Sequence, residues 1–341
     1  MPPIRIGPIA GVGILGAGTA FPPRCYDNAA ALSLLPGAEQ RSADQLAFAA
    51  AGLTRSLGLR ARAWAHAVGQ PLDHATERTT LDLAIEAGRA ALADARVDAA
   101  DLGLILVATS TPHRMTSTLA VPLGAALGAS AACMDTRTGC SGALFALGTA
   151  ALFVGAGAGP TLIVGTETFS KVVPPTHKMG VLSLGDGAGA LVVGPKQGAA
   201  LLGLFLRSDG SLGDLIGTRG PLPPAPEAID AGGYQLSGEP DALAAALPDR
   251  YVEAMRAALD TAGLAAADLD AYVPHQTSVP LIEGVAERLG VPTARVWTDG
   301  VGAHANIGAA GWVVGLAEAR AAGRLREGAL VGLASVGGGM S

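Results

Sequence analysis

Cysteine is scarce in this 341-residue chain, with three residues at positions 25, 133 and 140. An odd count without a Cys-x-x-Cys pair argues against a disulfide framework and against a thiolate zinc site. Charge is scarce too, at 15% of residues, and the net charge of −6 comes without a Lys/Arg cluster, so nucleic acid is excluded as the expected partner. Apolar runs such as Leu104–Thr109 and Leu162–Gly165 fall far short of the ~20 residues that a bilayer span needs. Residues 1–18 lack the charged flank, long apolar core and cleavage site of a secretory signal. Together with free thiols, this sets the expectation of a cytoplasmic protein with no membrane partner.

What remains is apolar: half of the residues are hydrophobic, enough to bury a large core in two fused halves. The two halves are visible as an internal repeat. Arg89-Ala90-Ala91-Leu92 returns as Arg256-Ala257-Ala258-Leu259, and Ala99-Ala100-Asp101-Leu102 as Ala266-Ala267-Asp268-Leu269, both 167 positions later. Each copy reads as an amphipathic helix, a short loop and an apolar strand, Leu104–Thr109 in the first and Ala271–Pro274 in the second. Small, apolar helices then follow at Gly142–Leu152 and Gly308–Ala319, ahead of strands at Thr161–Gly165 and Ala329–Leu333. Helices apolar on every face are buried. The expected architecture is therefore α/β and five-layered, αβαβα, with two duplicated halves at residues 1–195 and 196–341.

In parallel α/β sheets, chemistry gathers beyond the carboxyl ends of strands. Here Cys140 falls near the start of one buried helix, Asn306 at the equivalent place in the other half, and His275 just after Ala271–Pro274. Cys140 lies in Thr138-Gly139-Cys140-Ser141-Gly142, whose small residues permit a tight turn and close approach of a substrate. A helix start favours negative charge, so the thiol pKa is expected to be lowered and Cys140 to be the cysteine alkylated first. An isolated cysteine would otherwise be a buried core residue. His275, in Val273-Pro274-His275-Gln276, can donate to a carbonyl oxygen or pair with a thiolate, or it can be a satisfied core histidine. Asn306 can stabilise an enolate, cap the following helix, or do both, whereas His304 is read as a supporting or surface residue. The run Gly337-Gly338-Gly339 offers bare N–H groups for an oxyanion hole, or forms a flexible tail.

Two glycine patterns are decoys. Gly11-Val12-Gly13-Ile14-Leu15-Gly16 matches the dinucleotide fingerprint, but Pro22-Pro23 rules out the helix that must follow it. Gly185–Gly189 lacks the Lys and Ser/Thr of a phosphate loop and is expected to be a turn between strands Val181–Leu184 and Ala190–Val193. Arg55, Arg60 and Arg62 form the one candidate basic patch for an acidic carrier protein, and a solvated surface is the plainer reading.

At these motifs the chain resembles the β-ketoacyl-ACP synthase III (ketosynthase III-like) family of the thiolase superfamily. The likeness runs through Gly16–Thr19, Leu104–Thr109, Asp135–Gly142, Leu184–Ala190, Ser208–Ser211, Pro274–Gln276, Asn306–Ala310 and the triple glycine. The resemblance implies the thiolase fold, a homodimer and a Cys140–His275–Asn306 site. Acyl-CoA or acyl-carrier-protein thioesters would be the substrates, with no bound cofactor and no metal. It also implies an oxyanion hole from the N–H groups of Cys140 and Gly338, and substrate contacts from Arg55, Gln276 and Thr116, the last in the partner's pocket. Three departures stand out. No Trp precedes Thr54-Arg55, Pro280 stands where the family carries an Arg, and the aromatic cap of the acyl pocket falls near Thr116. They point away from a housekeeping enzyme and toward polyketide or other secondary metabolism. The family also has a strand beyond the triple glycine, whereas this sequence runs to Ser341.

The expected reaction is Claisen condensation through an acyl-cysteine. Two alternatives stay open: acyl transfer to a hydroxyl, amine or carrier thiol without condensation, and a non-catalytic partner subunit. The intact Cys-His-Asn set argues against the latter.

Overall fold

The computed structural model describes residues 3–73 and 75–341. The first sheet contains β1 (Ile9–Ala20), β2 (Leu104–Ala108), β3 (Ala132–Thr136), β4 (Thr161–Glu167) and β5 (Gly187–Leu201), in the order β1-β5-β4-β2-β3. Strands β3, β2 and β4 run parallel, and β5 lies antiparallel between β4 and β1. The second half supplies β6 (Leu204–Leu206), β7 (Ala271–Pro274) and β8 (Val331–Ala334), with β7 and β8 parallel.

The strand β2 shows why the molecule is layered. Every one of its side chains is buried. Ile105 and Val107 pack on one face, against the helices α2 (Thr80–Ala95) and α3 (Ala120–Leu127). Leu104, Leu106 and Ala108 pack on the other face, against α4 (Gly142–Gly155) and α7 (Gly311–Ala321). The period-2 alternation thus needs cover on both sides. Beyond α4 and α7 lies the second sheet. Val273 faces the shared central core, whereas Tyr272 faces outward into a cluster with α5 (Pro240–Ala262) and α6 (Val279–Leu289). The five layers expected from the repeat are all present.

The duplication extends to the caps. Helix α2 ends with Arg96 in the left-handed region (φ 53°), and α5 ends with Gly263 there (φ 68°), 167 positions later. Left-handed C-caps are cheapest for glycine, so the two copies keep the geometry while only one keeps the residue.

One expectation needs correction. Val181–Leu184 is not a strand: Lys178–Ser183 is a short helix, started by His177, whose Nδ1 accepts from the Gly180 N–H at 2.9 Å. Residue 195, the expected end of the first half, lies within β5, whose pairing with β1 resumes at Ala200 and Leu201. The second sheet differs from the first. In the first, β5 pairs with both β1 and β4; between β6 and β8 no ladder forms among the described residues. A groove of about 910 Å3 lies there, lined by Leu204, Leu206, Met255, Leu316, Leu330 and Leu333.

The Gly11–Gly16 pattern lies within β1, with no helix after it. Its glycines serve packing. A Cβ on Gly16 would lie 2.3 Å from the Ala95 nitrogen, so a side chain would push α2 off the sheet. Gly165 performs the same service at the seam between the halves, where a Cβ would lie 2.5 Å from the Ala309 oxygen. Gly165→Ala is therefore expected to lower stability by about 1–3 kcal/mol through overpacking. Urea unfolding should show a lower midpoint with an unchanged slope; a midpoint equal to that of the parent would mean that the halves can part here without cost.

Candidate active site

The nucleophile segment leaves β3 and is turned by Gly139 (φ 60°) into a 3-10 turn, Gly139–Ser141, that leads into α4. Glycine is required at 139 twice over: the backbone is left-handed, and a Cβ would press on Gly338 N at 3.1 Å and Gly337 Cα at 3.3 Å. The triple glycine therefore packs directly on the nucleophile turn. A Cβ on Gly337 would lie 2.2 Å from the Thr138 oxygen. The loop is pinned by Gly337 N–H to the Ser341 carbonyl and Met340 N–H to the Gly337 carbonyl, both at 2.8 Å. Ser335, at the end of β8, donates to the Cys140 carbonyl at 2.9 Å and ties the second half to the nucleophile. The flexible-tail reading of this loop does not hold.

His275 follows β7 and is buried, with its ring over the start of α7, where a Cβ on Gly311 would lie 2.3 Å from Nδ1. Neither ring nitrogen makes a hydrogen bond of good geometry, but the Asn306 side chain interacts with the ring. Asn306 is held on three sides. Its N–H donates to the Ser183 carbonyl and its own carbonyl accepts from Gly185 N–H, both at 2.9 Å. Its Oδ1 accepts from Gly308 N–H at 2.9 Å. The cap and the functional amide thus coexist, because the bond made by Oδ1 leaves the NH₂ free. Ala305, just before it, has φ 58° and ψ −155°, a backbone region used almost only by glycine.

The site is dry, and dryness sets its charges. Burial, with the nearby Glu167 carboxylate adding to it, pushes the Cys140 thiol up to about 12. The N–H groups of Cys140 and Gly338 face the sulfur and act the opposite way, with less effect. Burial likewise lowers His275 to about 4, which the Asn306 contact only partly offsets. The pair therefore rests as thiol and neutral imidazole. This corrects the expectation of a lowered thiol pKa: desolvation outweighs the short helix start. A neutral imidazole and an amide NH₂ are hydrogen-bond donors suited to an oxygen on which negative charge develops.

Comparisons with known proteins point to one family. The 3-oxoacyl-[acyl-carrier-protein (ACP)] synthase III model matches residues 134–210, and the C-terminal model of the same family matches 259–341. The chain is 36% identical over 271 residues to the β-ketoacyl-[acyl-carrier-protein] synthase III of Rhodospirillum rubrum, covering 77% of this chain and 82% of that protein. The chain belongs to the 3-oxoacyl-[acyl-carrier-protein] synthase III family. This synthase III chain is also 34% identical over 298 residues to an acetoacetyl-CoA synthase of Streptomyces, covering 85% of this chain and 87% of that one. Among solved structures, the 3-oxoacyl-(acyl carrier protein) synthase III of Pseudomonas aeruginosa superposes with a TM-score of 0.81 at 27% identity, covering 97% and 95% of the two chains. A priming β-ketosynthase from a polyketide pathway superposes with a TM-score of 0.82 at 26% identity, covering 99% and 96%.

The remaining expected site residues of this synthase III chain scatter. Gln276 is buried, with its amide donating to the Pro274 carbonyl at 2.7 Å and to the Trp297 carbonyl at 3.1 Å. Both N–H groups are thereby used on backbone, so Gln276 braces the end of β7, while its Oε1 is buried without a hydrogen-bond partner. Arg55 is exposed in the last turn of α1 (Ala43–Leu57), and Arg60 is exposed nearby. Arg62 is no part of a surface patch. It is fully buried and bonds Asn28 Oδ1 at 2.9 Å and the Leu182 carbonyl at 2.5 Å, and burial lowers it to about 10. Thr116 is exposed on the loop before α3, which Asp135 of β3 anchors by accepting from Leu119 and Ala120 N–H. His304 faces away: it bonds Glu318 at 2.6 Å and stacks on Phe21. Among the described residues no group of three or more His, Cys, Asp or Glu side chains is placed to hold a metal.

Sequence reasoning missed Ser335 and Glu167. The latter had a signal: a lone carboxylate ending a strand whose every residue is buried.

At neutral pH, a thiol raised to about 12 supplies little thiolate. On a Cys25→Ser, Cys133→Ser background, alkylation of Cys140 by iodoacetamide should still be climbing at about pH 9.5, without a plateau near neutrality. In the parent protein at pH 7, peptide mapping should find exposed Cys25 modified before Cys140. A plateau near pH 7 would show a stabilised thiolate and reverse the assignment.

Proposed function

We propose that this chain is a condensing acyltransferase of the ketosynthase III type that forms a C–C bond by decarboxylative Claisen condensation. The observation that carries the reading is the convergence on Cys140 Sγ of two backbone N–H groups, from Cys140 and Gly338, in a dry site whose other arm holds His275 and Asn306 in contact.

In the first half-reaction Cys140 attacks the thioester carbonyl of an acyl-CoA or acyl-carrier-protein donor. The C–S bond to the carrier breaks, and the proton lost by Cys140 leaves on the carrier thiol. Cys140 and Gly338 N–H hold the carbonyl oxygen as it gains charge. In the second, a malonyl-type thioester sits with its carbonyl oxygen on His275 and Asn306. Loss of CO₂ sends the electron pair toward that oxygen, and the resulting enolate carbon attacks the acyl-cysteine. The C–S bond to Cys140 breaks, and the sulfur takes up the one proton that decarboxylation consumes from solvent. Every step is thioester chemistry that these side chains supply without a bound cofactor. Neutral imidazole suits this role, since donation requires the N–H and not the charge.

Assembly enters the same proposal. The strand β3 is the free edge of the first sheet, with Met134 on it and Met115 and Val121 beside it all exposed. Pairing of β3 across a twofold axis covers this apolar edge and carries Thr116 toward the partner's pocket. Arg55, on the open face of α1, is a contact for the carrier or CoA phosphate. Departures at Thr116 and Pro280 favour polyketide or other secondary metabolism. Plain acyl transfer without CO₂ loss is the second reading, and Asn306 argues against it, because that reaction builds no enolate.

Asn306→Ala should leave self-acylation of Cys140 within about tenfold of the parent yet lower product formation about a hundredfold or more. Single-turnover kinetics of each half-reaction, with CO₂ release followed from a malonyl-type thioester, read both. Product formed without CO₂ at a rate indifferent to Asn306→Ala would replace condensation with plain transfer. Sedimentation at micromolar concentration should give a dimer; a monomer would overturn the assembly.

A further inference from the structure

Glu167 ends β4 fully buried, with no ion pair to a cation among the described residues. Its carboxylate accepts from Ser110 N–H at 3.0 and 3.1 Å, Thr111 N–H at 3.1 Å, Thr111 Oγ1 at 2.6 Å and Thr109 Oγ1 at 3.3 Å, all on the loop after β2. It also accepts from Ala309 N–H at 3.4 Å, across the seam and three residues after Asn306. The contact at Gly308 is close enough that a Cβ there would lie 2.9 Å from Glu167 Cγ. One side chain thus touches the loops of both halves that frame the site.

We propose that Glu167 is a positioning residue for the reaction assigned above: its carboxylate ties the Asn306 loop to the first half. The effect of that tie on Asn306 rests on the condensation reading; independently of it, the Glu167 carboxylate adds to the burial that raises the Cys140 thiol. An unpaired buried carboxylate is costly, and the site tolerates it through five donors in place of a counter-ion. Its own ionisation is raised by burial to about 7, so its charge appears within the working pH range. Among the described residues the neighbours that face it are uncharged, Cys140 resting as a thiol. The loop after β2 brings Thr109, Ser110 and Thr111; the turn after Asn306 brings Gly308 and Ala309; and Phe169 packs against Gly308. Asp186, next to β5, is engaged with Ser170 and Ala65 N–H, and His275 faces Asn306. Lys171 is turned away, donating to the Arg78 carbonyl.

Two substitutions separate charge from reach. Glu167→Gln keeps the length and removes the charge. Alkylation of Cys140 by iodoacetamide at pH 8 should rise about tenfold, as one pKa unit in the thiol would give. Glu167→Asp keeps the charge but is one methylene short of Ala309 N–H. It should leave the alkylation profile near that of the parent and lower the condensation half-reaction about tenfold, while self-acylation changes little. Urea midpoints of both variants establish that they fold. Should Glu167→Gln not fold, the unaltered protein supplies the test. Its log alkylation rate should rise with a slope below one between pH 6 and 8, as the carboxylate ionises, and return to one above. Glu167→Gln with the parent's alkylation profile, or a parent slope of one throughout, overturns the charge role. Glu167→Asp with full condensation overturns the tie. A parent enzyme that releases no CO₂ while Cys140 still answers to Glu167→Gln would sink the condensation reading and leave the charge role standing.

Discussion

Desolvation at the seam between the two halves governs this molecule. The helices α4 and α7 pack apolar side chains against a sheet on each side, with the charges of α7, Glu318 and Arg320, kept to its last turns, and the groups at their starts are drawn into the same dry layer. There, charge is penalised before any partner can favour it. Cys140 is pushed up, His275 down and Glu167 up, and the leading cause is the same for all three. The neutral resting site follows from the fold that brings the residues together, and it leaves polarised N–H groups as the main electrostatic resource.

Glycine makes that proximity possible. Gly139, Gly165, Gly311 and Gly337 each stand where a Cβ would strike backbone or His275. The halves meet through backbones, so the relative placement of Cys140 and Asn306 is fixed by main-chain contact and by a few polar ties such as Ser335 to Cys140 and Glu167 to Ala309. Close-packed contacts of this kind have little room to relax.

Much of this was legible in the sequence, for identifiable reasons. The repeat of Arg-Ala-Ala-Leu and Ala-Ala-Asp-Leu at one offset fixed two equivalent units, and the period-2 and all-apolar patterns distinguished strands from buried helices. Cys140, His275 and Asn306 were read as candidates because strand ends in duplicated halves converge, and Gly338 because the family resemblance implied it. What stayed hidden depended on burial, which a linear pattern does not carry. Arg62 reads as one of three basic residues in a row of surface candidates, yet its place on a short strand against Asn28 and Leu182 encloses it. Gln276 reads as the neighbour of a functional histidine, but alternation along the chain turns it into the core. The helix start at Cys140 was read correctly as geometry, and its electrostatic weight was overestimated because the depth of the site was not visible. Val181–Leu184 has strand composition, and the His177 cap made it helical.

The backbone at Ala305 has a consequence for how such a protein can change. A residue with a side chain sits where the chain would ordinarily take glycine, at a local cost of about 1–3 kcal/mol. Glycine would relax that conformation, but it would also widen the range of angles open to the peptide that carries Asn306. The methyl group narrows the choices of a hinge immediately before a working amide, so thermal robustness and precision of aim pull in opposite directions at a single position. Selection for a hardier protein alone would be free to loosen this joint, and selection for turnover would hold it tight.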